Sequence, residues 1–190
     1  LGYGKTPKWQ LQRTQTLDDQ AKKINDIISL SNTRFSIVGH SFGGTVGMKV
    51  ATYFKGRIDR LILIEPNPFY LLKQNNELKE YDKVLILRNI IKSSRDKNWI
   101  NAVATFADYW NGVGTWDLLD NQKKKTFARI LEPNFHEWDS VINEPTSIGE
   151  WKSLLPQKTT IISSRKTVSP IKKIVELFKS HCSNWNFEEI

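Results

Sequence analysis

The run Phe35-Ser36-Ile37-Val38-Gly39-His40-Ser41-Phe42-Gly43-Gly44 constrains what this chain can fold into more than any other stretch. Its apolar, β-branched start reads as a buried strand. Gly39 to Gly43 reads as a sharp turn with Ser41 at its apex, and Val46, Met48, Val50, Ala51 and Phe54 as a mostly apolar helix closed by Gly56 at a C′-type position. A turn that lifts a serine hydroxyl clear of a sheet is strained and crowds strand against helix. Side chains two positions before or after the serine are therefore expected to collide with backbone, which explains Gly39 and Gly43, while Gly44 lets the helix approach the sheet. A glycine-rich turn cradling a phosphate is the competing reading. The run lacks both the Lys-Ser/Thr ending of a P-loop and the Gly-x-Gly-x-x-Gly dinucleotide fingerprint.

The flanking sequence supplies the rest of an α/β pattern. Thr16-Leu17-Asp18-Asp19 starts a helix with a capping threonine and an acidic first turn, and Leu17, Ala21, Ile24, Ile27 and Ile28 follow at helical spacing. Residues 58–64 form the next strand, with Leu61-Ile62-Leu63-Ile64 apolar on both faces as a parallel sheet requires. Strand–helix alternation of this kind predicts a doubly wound, mostly parallel sheet. Between Pro68 and Pro156 only helical patterns occur, over 77–92, 96–110, 115–131 and 134–143, with a shorter turn over 148–155. Alternation resumes with a strand at 159–162, and Ser169-Pro170 then offers an N-cap and an N1 proline for a last helix through Ile171, Ile174, Val175, Leu177 and Phe178. The chain thus divides into a core segment 1–67, a helical insertion 68–156 and a second core segment 157–190.

Gly39-His40-Ser41-Phe42-Gly43-Gly44 resembles the nucleophile elbow of the α/β-hydrolase superfamily. Leu1-Gly2-Tyr3-Gly4-Lys5-Thr6 is similar to that family's Gly-x-Gly-Ser/Thr loop after the fourth strand, and Leu61-Ile62-Leu63-Ile64-Glu65-Pro66 to its sixth strand and exit. The likeness covers residues 1–66 and about 157–190; the stretch between has the length of a lid inserted after the sixth strand. The resemblance implies a serine hydrolase that cleaves an ester, thioester or related acyl bond through an acyl-enzyme intermediate, with Ser41 as nucleophile, the backbone N–H of Phe42 in the oxyanion hole and no cofactor or metal. It also implies that the first strands and the second oxyanion donor lie upstream of Leu1 and the histidine base beyond Ile190, so that these 190 residues alone are expected to be inert.

The acid departs from the commoner pattern of the family. Where members often carry an aspartate after the seventh strand, this chain reads Ser163-Ser164-Arg165-Lys166-Thr167-Val168-Ser169-Pro170, with Thr167 near the expected place. Glu65 is assigned the role instead, because several branches carry their acid at the end of the sixth strand; the alternative is that it merely caps the strand exit ahead of Pro66. Of the histidines, His40 resembles the residue that packs beside the substrate pocket in many elbows, His136 falls in the insertion and His181 near the end of the last helix. Two other readings stay open: a ligand-binding, receptor-like homologue that has lost turnover, favoured by the missing carboxylate near Thr167, and a serine-elbow carbon–carbon hydrolase or lyase.

Composition narrows the partners. The net charge of +8 comes from lysines spread along helices and loops, with one tight cluster at Lys123-Lys124-Lys125, and no stacking residues interleave with them. That argues for a solvated basic surface, with attraction of anionic substrates or headgroups as the functional alternative, and against nucleic acid. No apolar stretch reaches the roughly 18 residues of a membrane span, so no stable membrane insertion is expected. A single cysteine, Cys182, cannot close an internal disulfide, and a cytoplasmic setting is the default expectation. Oligomeric state is not legible. Trp99, Trp110, Trp116, Trp138 and Trp151 all fall in the insertion, where they serve either as packing or as an apolar pocket over the serine. Trp110 and Trp116 bracket Gly112 and Gly114, a pairing suited to a gate.

Overall fold

A computed structural model describes residues 1–10, 12–28, 33–94 and 98–190. Four strands, β1 (Phe35–His40), β2 (Ile58–Ile64), β3 (Thr159–Ser163) and β4 (Asn186–Glu189), form one parallel sheet in the order β1-β2-β3-β4. Parallel neighbours need crossover connections, and helices supply them. Among the described residues, α1 (Leu17–Ile28) leads into β1, α2 (Phe42–Tyr53) joins β1 to β2, and α9 (Ser169–His181) joins β3 to β4. Between β2 and β3 the chain is helical: α3 (Tyr70–Gln74), α4 (Leu78–Ser93), α5 (Trp99–Asn111), α6 (Asn121–Leu131), α7 (Asn134–Ile142) and α8 (Ile148–Leu154).

The two sheet faces differ. Phe35 meets Phe54 edge-on at 5.2 Å, and a Cβ on Gly47 would stand 3.1 Å from Ile37, so one face of β1 packs on α2. Leu61, Leu63, Thr159, Ile161 and Ser163 continue that buried face, whereas Ile62, Ile64, Thr160 and Ile162 are half-buried and Val38 is 64% exposed on the other. The expectation of strands apolar on both faces therefore holds in sequence but only one face is covered by the described residues. The insertion is held by aromatic burial: Trp151 is fully buried and donates its indole N–H to the Tyr70 hydroxyl, while Phe69 is sandwiched by Trp110 and Trp138 at 6.3 and 6.0 Å. Cys182 is buried, and desolvation pushes its thiol up to about 11.

Several expected boundaries move. Thr16 does cap α1, accepting from the Asp19 N–H at 3.2 Å while the Asp19 carboxylate accepts from the Thr16 N–H at 2.9 Å. The helix expected over 115–131 begins only at Asn121, because Asp120 caps it by accepting from the Lys123 N–H at 2.7 Å and the residues before it are spent in turns. The expected start at Asp96 lies outside the described residues, and the helix there begins at Trp99, with Asn98 at the N-cap position but making no side-chain capping bond. Ser169 is not the N-cap of α9; Val168 is, and the Ser169 hydroxyl accepts from Lys83 Nζ at 2.7 Å. Helix α3 carries too short an apolar stretch to be read from periodicity, and Gly56, at φ 85°, sits one position later than a C′ residue.

Candidate active site

The turn at Ser41 is strained in the way the sequence requires. Ser41 adopts φ 52° and ψ −123°, a region L-residues rarely occupy, and its side chain makes no capping bond to α2 although it stands at the N-cap position. Its N–H donates to the Ile64 carbonyl at 2.8 Å, and its own carbonyl accepts from Gly44 and Thr45 at 2.9 and 3.2 Å. These bonds tie the turn to β2 on one side and to α2 on the other. A Cβ on Gly39 would stand 2.4 Å from the Gly43 carbonyl oxygen and 2.7 Å from Gly44 Cα, so no other residue fits there. Gly44 is tight but less constrained: a Cβ there would stand 3.1 Å from the Gly39 carbonyl oxygen. Gly43 is not: a Cβ would meet nothing within 4 Å, and the collision expected there is corrected. The crowding falls on the strand side of the serine and on the second helical glycine.

Phe42 opens α2, and the first N–H groups of a helix have no intrahelical acceptor. They carry the positive end of the helix dipole, so an oxygen anion beside Ser41 would be stabilised there.

Glu65 directly follows β2, the strand next to β1, and comes after the Ile64 carbonyl that anchors Ser41. It too is in the left-handed region, at φ 47°. Its N–H donates to the Ile162 carbonyl at 2.9 Å, and its carboxylate Oε1 accepts from the Ser164 N–H at 2.9 Å. Backbone and side chain thus hold it against the end of β3, leaving the other carboxylate oxygen available. Just beyond, Thr45 Oγ1 donates to Asn67 Oδ1 and accepts from the Asn67 N–H, both at 2.9 Å and both buried, which clamps the loop after Glu65 to α2.

Ser41 and Glu65 open into one cavity of about 700 Å³. Its floor is Ser41, Phe42, Gly43, Glu65 and Asn67, with His40 at the rim; its roof and walls come from α5, α6 and α7 through Phe106, Trp110, Phe127, Leu131, Trp138 and Val141. The volume is in the range of small-molecule sites.

Of the expected pocket residues, Trp110 lines this cavity. Trp116 does not: it is buried one layer out, 6.3 Å from the Phe127 ring, with Lys124 over its face. Gly112 and Gly114 between them have φ of 103° and 87°, so the bracketed turn does depend on glycine. His40 lines the rim but is exposed rather than packed, because it falls on the strand face turned away from α2. His136 borders a separate small cleft with Trp9 and Pro133, and His181 Nδ1 pairs with the Leu177 carbonyl at 2.9 Å on the far end of α9. Among the described residues no histidine hydrogen-bonds Ser41 or Glu65, and no three His, Cys, Asp or Glu side chains are placed to hold a metal. No helix among them is long and apolar enough to cross a membrane.

One cavity residue escaped the sequence reading. Glu137 of α7 is only 5% exposed, and burial raises its pKa against the opposing pull of hydrogen bonds from Asn134 and Tyr3. Its nearness to Trp138 and Val141 on a helix with buried faces was the available signal, since a carboxyl at such a position cannot reach water easily.

A family model described as the alpha/beta hydrolase fold matches residues 1–85. A serine hydrolase-like protein of Homo sapiens is 38% identical over 61 residues, 32% of this chain and 29% of that protein. Its Mus musculus namesake is 44% identical over 46 residues, 24% of this chain and 14% of the relative. The matched stretches thus span less than a third of these relatives. Among solved structures, MenH from S. aureus superposes with a TM-score of 0.66 at 15% identity, covering 100% of this chain and 71% of that one. A hydrolase from Oleispira antarctica gives 0.64 at 19%, covering 100% and 69%, and a carboxylesterase of the thaumarchaeon Nitrososphaera gargenis gives 0.62 at 15%, covering 98% and 65%. Together with the parallel sheet, the strained serine turn and the helices placed between β2 and β3, these matches identify the chain as having the α/β-hydrolase fold.

Proposed function

We propose that the chain carries the nucleophile and the acid of a serine hydrolase that cleaves an ester, thioester or related acyl bond. The observation that carries this reading is Ser41: a serine held at φ 52° with its hydroxyl withheld from helix capping, on the floor of a cavity it shares with Glu65. Strain of this kind costs on the order of 1–3 kcal/mol and persists where the surroundings enforce it. Here it aims a hydroxyl that would otherwise satisfy α2.

In this reading Ser41 Oγ attacks the acyl carbon as its proton passes to a histidine base, which we place beyond Ile190. Glu65, fixed by the Ser164 N–H, holds that imidazole in the correct tautomer and stabilises the imidazolium. The carbonyl oxygen gains its negative charge beside the Phe42 N–H and the N-terminus of α2. The base then returns the proton to the leaving group, and water attacks the acyl-enzyme in a second round that frees Ser41. The insertion acts as a lid whose aromatic underside receives the apolar part of the substrate. The human and mouse relatives, named as serine hydrolase-like, support the class of chemistry and do not choose the acyl group.

Labelling of the natural protein with a fluorophosphonate tests the reading, because an activated serine attacks phosphorus as it attacks an acyl carbon. Mass spectrometry is expected to place one adduct on Ser41, and Ser41→Ala to abolish it. A folded protein with no adduct, or with the adduct on another serine, overturns the proposal and favours the binding-only homologue.

A further inference from the structure

Most of the cavity roof is hydrocarbon, but one corner is polar. Trp138 Nε1 donates to Asn134 Oδ1 at 2.8 Å, and Asn134 Nδ2 donates to Glu137 Oε2 at 3.1 Å. The Asn134 amide is thereby used at both ends and fixed in orientation. Tyr3, from the loop at the start of the chain, lines the same corner, and desolvation together with the charge of Glu137 raises its phenol. Tyr3, Asn134, Glu137 and Trp138 all line the cavity that holds Ser41. Among the described residues no lysine or arginine forms an ion pair with Glu137.

A carboxyl in such surroundings is costly unless something offsets its desolvation. Asp139, two residues on, shows what a purely structural acid looks like in this layer: Arg88 and Lys92 bond it at 2.8 and 2.6 Å, and it stands clear of the cavity. Glu137 has no such pair and faces the space a substrate would fill. A second polar group stands at the same cavity: among the described residues the buried Trp110 Nε1–H has no hydrogen-bond partner. The cavity therefore combines a largely apolar wall with an acceptor and a donor that the protein itself leaves incompletely satisfied.

We propose that Glu137, oriented by Asn134, forms a subsite for a hydrogen-bond donor, a hydroxyl or an ammonium group, carried on the otherwise apolar body of the ligand that occupies the Ser41 cavity. The proposal rests on that cavity being the substrate site and deepens the hydrolase reading by assigning substrate class: an acyl compound bearing a donor group away from the scissile bond. A polar site rejects ligands that lack the matching group, because the buried acceptor is then desolvated without return. Glu137 is thus a specificity determinant, with no part in bond making.

The test is binding to the natural protein carrying Ser41→Ala, which stops turnover, followed by the fluorescence of the cavity tryptophans. The probes are methyl esters of straight-chain acids in a set of lengths, each as the plain ester, the terminal hydroxy ester and the terminal amino ester. At the best-fitting length, one of the two donor-bearing esters is expected to bind about tenfold more tightly than the plain ester, as one net hydrogen bond gives. Glu137→Met should erase that preference. Glu137→Gln, which keeps an acceptor oxygen but no charge, should retain it if the hydroxy ester is the preferred ligand and lose it if the amino ester is. Plain esters that bind as tightly as both donor-bearing ones at every length overturn the proposal, as does a preference unchanged in a Glu137→Met protein of normal melting temperature. Labelling of Ser41 is scored separately, so failure of the subsite and failure of the hydrolase reading give different results.

Discussion

The floor and the roof of the cavity each present one glutamate, and they are built in opposite ways. Glu65 sits on the end of a strand, its N–H paired with Ile162 and its carboxylate with the Ser164 N–H, so backbone alone fixes it. Glu137 sits on a helix of the insertion and is positioned by a side chain, Asn134, that must itself be held by its bond from Trp138. Chemistry that tolerates little displacement belongs on the first kind of support, because misplacement of about 1 Å costs roughly 10² in rate. Recognition of variable ligands can use the second.

The largest effect that would break this contrast is at Glu65. Glu65→Gln keeps an oxygen to accept from Ser164 and should fold normally. If Glu65 is the acid, as proposed, kcat in the natural protein is expected to fall about 10⁴-fold. Unchanged turnover would leave Glu65 as a clip between the exits of β2 and β3 and move the acid elsewhere. Glu137→Gln, measured in the same assay, should leave the rate-determining chemistry alone and act on selectivity between substrates.

A smaller effect separates the two glycines flanking Ser41. Gly39→Ala drives a methyl group to 2.4 Å from a backbone oxygen, and backbone has to move for it to fit; a loss of about 3 kcal/mol or more in unfolding free energy is expected. Gly43→Ala meets open space in the first turn of α2 and should lie within about 1 kcal/mol of wild type, on the stabilising side if anything. Denaturant titration reads both. Equal losses would mean that the turn, and with it the rigid floor, is not organised as the distances indicate.

The same contrast explains what could be read without a structure. The floor was legible because its requirements are local: a strained serine, a glycine two positions before it and a short parallel strand leave fixed residue types within a few positions of each other. Even there the pattern misattributed the crowding to Gly43 and mistook His40 for a packed residue, since strand parity alone decides which face a side chain takes and the pattern does not say which face α2 covers. The roof was legible only as helices rich in tryptophan. Trp110 and Trp116 are symmetric about their glycine turn in sequence, yet one reaches the cavity and the other stops a layer short against Phe127. Glu137 and Asp139 look alike in sequence too. Only the approach of α4 with Arg88 and Lys92 makes one an ion-paired acid and the other a solitary one.

That difference gives the smallest and most discriminating prediction, the pH dependence of stability carried by α7. Burial works against the ionised form of Asp139, but Lys92 and Arg88 overcome it and hold its pKa below the usual value. Its contribution is therefore present above the unfolded-state pKa and is lost as pH falls through the lower folded value. Glu137 has the opposite sign: burial raises its pKa, Asn134 and Tyr3 oppose that, and the net result lies above 4.5. The folded state then holds its proton more tightly than the unfolded state, so stability is lost as pH rises from 4.5 through the folded value, by about 1.4 kcal/mol for each tenfold difference in proton affinity between the two states. Glu137→Gln is expected to flatten the decline of melting temperature above pH 4.5, and Asp139→Asn to flatten the acid limb below it while lowering stability at neutral pH by about 3 kcal/mol through two cations left without their partner. If both variants move the same limb, the two acids are not the opposites their surroundings make them, and the solitary character that suits Glu137 to a ligand disappears with the contrast.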